Sequence, residues 1–123
     1  MNSAISAGVF DALVRTIKGR KGGQDQEERL KAATALCNLC CDSAQNREIA
    51  FQSGAVDALV GLMQSSFGKL AARTQEVAAA CFSNLSGDRS CKAAIAASAA
   101  PTLLKQVRPQ LSENMKECVY GFE

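Results

Sequence analysis

An eight-residue phrase occurs twice in this chain. Ala7-Gly8-Val9-Phe10-Asp11-Ala12-Leu13-Val14 returns as Ser53-Gly54-Ala55-Val56-Asp57-Ala58-Leu59-Val60, a shift of 46 residues (54 − 8). Leu36-Cys37-Asn38-Leu39 and Phe82-Ser83-Asn84-Leu85 return at the same shift (84 − 38 = 46). Self-similarity at a period of roughly 40–47 residues, carried by helical segments, is the mark of a helical solenoid. In such a fold each unit buries its apolar face on the next, and the stack offers an extended binding surface.

Composition agrees with helices. The chain has 123 residues, is 47% hydrophobic and rich in Ala, with no Trp, one Tyr and two Pro. Ala is the best helix former, so an all-α fold is expected. The net charge of +2, from 14 basic and 12 acidic residues, is too balanced for a nucleic-acid partner, which calls for a concentrated basic face. No apolar run approaches the ~20 residues of a membrane span. Met1-Asn2-Ser3-Ala4-Ile5-Ser6 lacks the charged and apolar regions of a secretory signal. A cytoplasmic or nuclear setting is therefore expected, with the six cysteines reduced. Asn84-Leu85-Ser86 fits a glycosylation sequon but falls in a predicted helix without a secretory route.

The periodicity predicts helices over 9–18, 27–41, 46–52, 55–64, 75–86 and 90–97. Phe10, Leu13, Val14 and Ile17 share one face of the first. Leu30, Ala33, Leu36, Cys37 and Cys40 form the stripe of the second, widened by Ala32 and Ala35. Val56, Leu59, Val60 and Met63 share a face of the fourth. Gly19-Arg20-Lys21-Gly22-Gly23, Asp42-Ser43-Ala44-Gln45 and Ser65-Ser66-Phe67-Gly68 separate helices. Gly8 and Gly54 are expected to reverse the chain in equivalent left-handed turns, and Gly87 to stop a helix. Ser98 takes the turn position in the third copy, ahead of a helix with Pro101 in its first turn, carrying Leu103, Leu104 and Val107 and ending at Pro109. Ser112 is the expected N-cap of a last helix reaching Tyr120 and Phe122. The rhythm divides the chain into a partial unit (1–42), a full one (43–88) and a degenerate partial one (89–123).

Laid on these units, the sequence resembles the armadillo repeat. That pattern has an Asn and an Ile ahead of a Gly-Ala-Val turn, then Leu-Val, then alanines and a closing Asn-Leu. Asn46, Ile49, Gly54, Ala55, Val56, Leu59, Val60, Leu62, Val77, Ala78, Ala79, Phe82, Asn84 and Leu85 match it. The preceding unit matches at Gly8, Val9, Leu13, Val14, Ala32, Ala33, Leu36, Asn38 and Leu39. The resemblance implies a right-handed superhelix of three-helix repeats whose third helices line a concave groove. The period of 46 exceeds the ~42 usual in the family. The surplus falls at Gly19–Gln24 and Ser65–Leu70, loops that project from one edge of a solenoid and either meet a partner or are neutral in length.

By the same resemblance, Asn38 and Asn84 face the groove about one repeat apart (~10 Å for stacked helices) and hydrogen-bond the backbone of an extended peptide. A carboxamide both donates and accepts, so it can satisfy a peptide unit without reading its side chain. The alternative is that Asn-Leu closes its helix and bonds the next repeat's backbone. Nuclear-import members of the family pair each such Asn with a Trp one turn earlier. Here Thr34 and Ala80 stand four residues earlier, so that array is absent. Lys31 and Glu27, and Glu76 and Arg73, continue the wall with mixed charge, which also describes a solvated helix face.

Other motifs fall short of chemistry. Cys37, Cys40 and Cys41 share a helix face, but a structural zinc site needs four ligands, the chain has no His, and Cys81, Cys91 and Cys118 are single. Cys37, Cys40 and Cys81 are expected to be mostly buried, reduced and metal-free, because a free Cys packs as a small hydrophobe. Gly68-Lys69 lacks the other residues of a phosphate loop. The basic 19–23 loop reads as solvated or as a contact for an acidic group. Without His there is no Ser-His or Cys-His dyad, and no catalytic residue or cofactor is expected.

The function expected is non-enzymatic: an interaction module that holds a protein or extended peptide along its groove. The alternative is a set of structural spacer repeats within a longer scaffold, with no ligand of their own. Apolar residues at either end (Ile5, Val9 and Phe10; Val119, Tyr120 and Phe122) lead to the expectation of further repeats in the same chain or end-to-end self-association.

Overall fold

The computed structural model describes residues 3–19, 26–66 and 68–107. Among these there are seven α-helices, one 3-10 turn and no strand, as the all-α reading expects. They are α1 (Ser3–Lys18), α2 (Gln26–Cys40), α3 (Ala44–Gln52), α4 (Ala55–Gln64), α5 (Ala71–Leu85), α6 (Arg89–Ala97) and α7 (Ala100–Val107), with the 3-10 turn at Gly68–Leu70. No helix among the described residues is long and apolar enough to cross a membrane.

The helices stack in three columns. α1 packs on α4 and α4 on α7, α2 packs on α5, and α3 packs on α6. Each helix thus meets its counterpart one copy along the chain. The sequence shift makes this possible, since it returns like residues to like places. Phe10, Val14 and Ile17 of α1 and Val56, Leu59 and Met63 of α4 are buried together. Ala32 and Ala33 of α2 and Ala78 and Ala79 of α5 are buried at the same register (78 − 32 = 46). Small side chains at that seam let two helices approach closely. Leu36, Phe82, Leu85, Ile95 and Leu104 complete one continuous core.

Loop chemistry fixes the corners. Ser43 caps α3 by accepting from Asn46 N at 3.1 Å, and Asp88 caps α6 by accepting from Cys91 N at 3.1 Å. Gly54 stands at φ +90°, the left-handed turn expected between α3 and α4. Ser98 manages the corresponding corner differently. It stays extended, donates through Oγ to Ile95 O at 2.7 Å and accepts from Ala100 N at 3.0 Å. One hydroxyl therefore closes α6 and opens α7 where the repeat has lost its glycine.

Three expectations are corrected. Gly8 does not match Gly54: it lies inside α1 without a positive φ, and the Ala-rich segment ahead of it simply extends the helix. Phe10 does not belong to an open apolar end, because it is fully buried in the helical core; Val9, 39% exposed, faces outward among the described residues of that helix. α5 begins at Ala71, four residues before Gln75, since the 3-10 turn at Gly68–Leu70 leads into it and shortens the loop. Cys40 and Cys81 are buried and Cys37, at the edge of the stripe, is partly buried. The Arg20–Gln24 part of the first loop, Phe67, and Pro109, Ser112, Cys118, Val119, Tyr120 and Phe122 lie outside the described residues.

Candidate functional site

The site is built on α2 and α5, which run side by side. The last four carbonyls of any helix lack intrahelical partners. At the end of α2 all four are satisfied, each by a different donor. Cys37 O accepts from Asn84 Nδ2 at 3.0 Å, Asn38 O from Cys41 N at 3.4 Å, Leu39 O from Asn46 Nδ2 at 2.8 Å, and Cys40 O from Arg47 Nε at 3.0 Å. Arg47 also reaches Cys41 O at 2.9 Å. Asn46 and Arg47 thus fold α3 back under the end of α2, while Asn84 ties in α5. The end of α5 is closed instead by its own following residues: Ser86 N bonds Phe82 O, Ser86 Oγ bonds Ser83 O, Gly87 N bonds Asn84 O and Asp88 N bonds Leu85 O.

The two repeated asparagines therefore stand in different surroundings. Asn84 is partly buried, and its Nδ2 serves both Cys37 O and, at 3.3 Å, Cys37 Sγ. Its Oδ1 makes no hydrogen bond to the described residues. Asn38 is exposed, and its carboxamide makes none. The other expected groove residues fall on the same two helices. Lys31 and Thr34 lie on α2, and Arg73, Glu76 and Ala80 on α5; none of the five is buried. Thr34 Oγ1 donates to Leu30 O at 2.9 Å, which leaves its methyl outermost. Lys31 pairs with Glu28 at 3.6 Å, an exposed contact that holds neither side chain firmly. The face is thus accessible, of mixed charge, and continuous from α2 to α5.

Beneath that face lie the thiols. Cys40, Cys81 and Cys91 are buried, Cys37 is partly buried and Cys41 exposed, and all five are free. Among the described residues no three His, Cys, Asp or Glu side chains converge to hold a metal ion. Burial pushes Cys40 up to about 11 and Cys91 up to about 12, the latter helped by Asp88. Cys37 moves the other way, to about 7, because Cys81 donates a hydrogen bond to its sulfur and outweighs burial. Cys81 is correspondingly held far above its ordinary value. The single S–H of Cys81 also lies 3.2 Å from Ala33 O. It cannot donate to Ala33 O and to Cys37 at once.

Arg29 is a structural residue that the apolar pattern does not reveal. It is 6% exposed, donates through Nε to Ile17 O at 2.7 Å and through its Nη1 to Ser65 Oγ at 2.9 Å. Ser65 Oγ in turn donates to Gly61 O at 2.7 Å. The guanidinium therefore sits between the C-terminal ends of α1 and α4, where helix dipoles favour a cation. Burial lowers its pKa, but a guanidinium remains charged. A signal was available: Arg29 falls on the line of Ala33, Leu36 and Cys40, an inward position. Lys18, Asp57, Ala58 and Gly61 line a shallow depression around it, on the far side of α2 from the asparagines.

Comparison with known proteins places one segment. Residues 43–87 match the Armadillo/beta-catenin-like repeat, spanning α3, α4 and α5. No curated protein and no solved structure matches the chain. Repeats of this kind are generally protein-interaction modules and generally not enzymes.

Proposed function

We propose that this chain, which carries an armadillo repeat at residues 43–87, is a protein-interaction module that holds an extended segment of a partner protein along the α2–α5 face. The reading includes a right-handed superhelical stack in which that face is the concave one. The observation that carries it is the exposed Asn38 carboxamide, which makes no hydrogen bond to the described residues. Asn38 supplies a donor and an acceptor to a peptide unit, Asn84 supplies its Oδ1, and Thr34 and Ala80 leave room for the backbone to lie close. Lys31, Arg73 and Glu76 then read charge on the partner. A spacer role draws support from Asn84, whose amide is spent within the protein, but it gives Asn38 nothing to do.

The test is a selection of extended peptides from a displayed random library, followed by chemical-shift mapping of the bound peptides on the protein. Shifts centred on 31–38 and 73–84, with at least tenfold weaker binding to Asn38→Ala, are expected. Peptides that settle on α1, α4 and α7, or that ignore Asn38→Ala, would defeat the reading.

A further inference from the structure

Two thiols from successive units face each other across the α2–α5 seam. Cys81 Sγ lies 3.2 Å from Ala33 O, and Asn84 Nδ2, one turn further along α5, lies 3.0 Å from Cys37 O and 3.3 Å from Cys37 Sγ. These contacts hold residues 81 and 84 beside residues 33 and 37, which sets the Cys81 thiol next to Cys37. The small side chains of Ala32, Ala33, Ala78 and Ala79 at this seam let the two helices approach closely.

The two sulfurs differ in the ways that a reacting pair requires. Cys37 is partly open to solvent, and Cys81 is buried behind it. The Cys37 sulfur receives an N–H from Asn84, and the Cys81 S–H beside it favours the thiolate when turned toward it. A thiolate that is both accessible and hydrogen-bonded is the form that peroxides oxidise. No other described cysteine combines these conditions: Cys40 and Cys91 are buried and held protonated, and Cys41 receives no such donor.

We propose that Cys37 is an oxidation site for small hydroperoxides and that Cys81 is its resolving partner, the pair closing into a disulfide that staples α2 to α5. The Cys37 thiolate attacks the outer peroxide oxygen, the O–O bond breaks, and the leaving alkoxide or hydroxide takes a proton from water. Cys37 becomes a sulfenic acid. The Cys81 sulfur then attacks that sulfur, and the hydroxyl leaves with the Cys81 proton as water. The two cysteines are oxidised by two electrons and one hydroperoxide is reduced to its alcohol or to water. A dithiol reductant reverses the bridge by exchange. This inference does not depend on peptide binding.

The experiment exposes the folded full chain to hydrogen peroxide at neutral pH and maps bridges by non-reducing digestion and mass spectrometry. A Cys37–Cys81 peptide pair lighter by two hydrogen atoms, restored by a dithiol, is expected. Cys81→Ser should instead accumulate a dimedone-trappable sulfenic acid on Cys37, and Cys81→Ala should do the same should the serine disturb the Ala-lined seam. Cys37→Ser, at a partly exposed site, should leave Cys81 reduced while circular dichroism shows intact helices. Bridges from Cys37 to Cys40, Cys41 or Cys118 would overturn the proposal. So would a Cys37 still reduced after Cys41 has been oxidised, or a Cys37–Cys81 bridge that forms only once the chain is melted.

Discussion

Asn84 donates through Nδ2 to the carbonyl oxygen of Cys37, 3.0 Å away, so the closing asparagine of one unit caps the third helix of the unit before it. The carbonyl it meets is the first of α2 to have lost its partner in the helix, since Cys41 N has turned to Asn38 O. A side chain read from the family pattern as a ligand contact thereby contributes to how successive repeats are set against each other. Asn38 stands at the same place in its own unit but meets no described helix on that side, which is why its carboxamide is exposed.

The two asparagines should therefore respond differently to truncation. Asn84→Ala leaves Cys37 O partly buried without its donor and should lower stability by about 1–2 kcal/mol. Asn38→Ala should change it by less than about 0.5 kcal/mol, as at other exposed positions. Urea melts of the two variants beside the parent check this; equal losses would contradict the capping role.

The glycines offer a second contrast. Gly54 turns at φ +90°, where an L side chain is strained, so Gly54→Ala should destabilise by about 1–2 kcal/mol even though its Cβ would meet only Lys18 Nζ at 3.9 Å. Gly8 is helical and a Cβ there meets nothing within 4 Å, so Gly8→Ala should stabilise by about 0.4–1 kcal/mol. Thermal midpoints moving in opposite directions would confirm that the repeated phrase folds two ways.

That contrast marks where sequence reading stops. The shift of 46 was enough to foresee the helices and their stacking, because Phe10 and Val56, or Ala33 and Ala79, are interchangeable in the physics of burial. It could not tell Gly8 from Gly54, since a glycine turns only where a preceding helix must be reversed, and that is a property of neighbours rather than of the phrase. It placed Asn38 and Asn84 on adjacent helices but could not assign Asn84 to Cys37, because that bond depends on which carbonyl the end of α2 leaves open. The Cys37–Cys81 juxtaposition was hidden for a similar reason: Cys81 lies 44 residues away (81 − 37), off the repeat register by two.

Arg29 should be far less replaceable than its charge suggests. Arg29→Met keeps the stem but leaves Ile17 O without its 2.7 Å donor and Ser65 without its tie to α2. A loss of about 2–3 kcal/mol is expected, the range for breaking buried hydrogen bonds to a charged group. Arg29→Lys should recover only part of it, because one ammonium cannot span both acceptors as the forked guanidinium does. Denaturant midpoints falling in the order parent, Lys, Met test this, and a Met variant as stable as the parent would remove Arg29 from the framework.

Alkaline pH should loosen the fold through its buried thiols. Cys40 and Cys91 are acids whose folded-state pKa is raised, to about 11 and about 12, from an ordinary value of 9.0, chiefly because burial penalises the thiolate. The unfolded chain therefore gives up these protons first, and the folded chain holds more of them between pH 9.0 and about 11. Their contribution is complete below pH 9.0 and is lost as pH rises toward the folded values. Cys37 acts in the opposite sense: its folded pKa of about 7 is depressed, so its contribution is present above the unfolded value and fades as pH falls through about 7. The expected profile peaks near pH 9, falls toward pH 7 as Cys37 takes up its proton and levels off below that, and falls more steeply on the alkaline side, where three raised thiols, Cys40, Cys81 and Cys91, act together. Unfolding free energy measured from pH 6 to 10.5 tests this, with Cys91→Ala as the control that should flatten the alkaline limb although its own cavity lowers stability throughout. An alkaline slope unchanged in Cys91→Ala and in Cys40→Ala would show that other groups govern the decline.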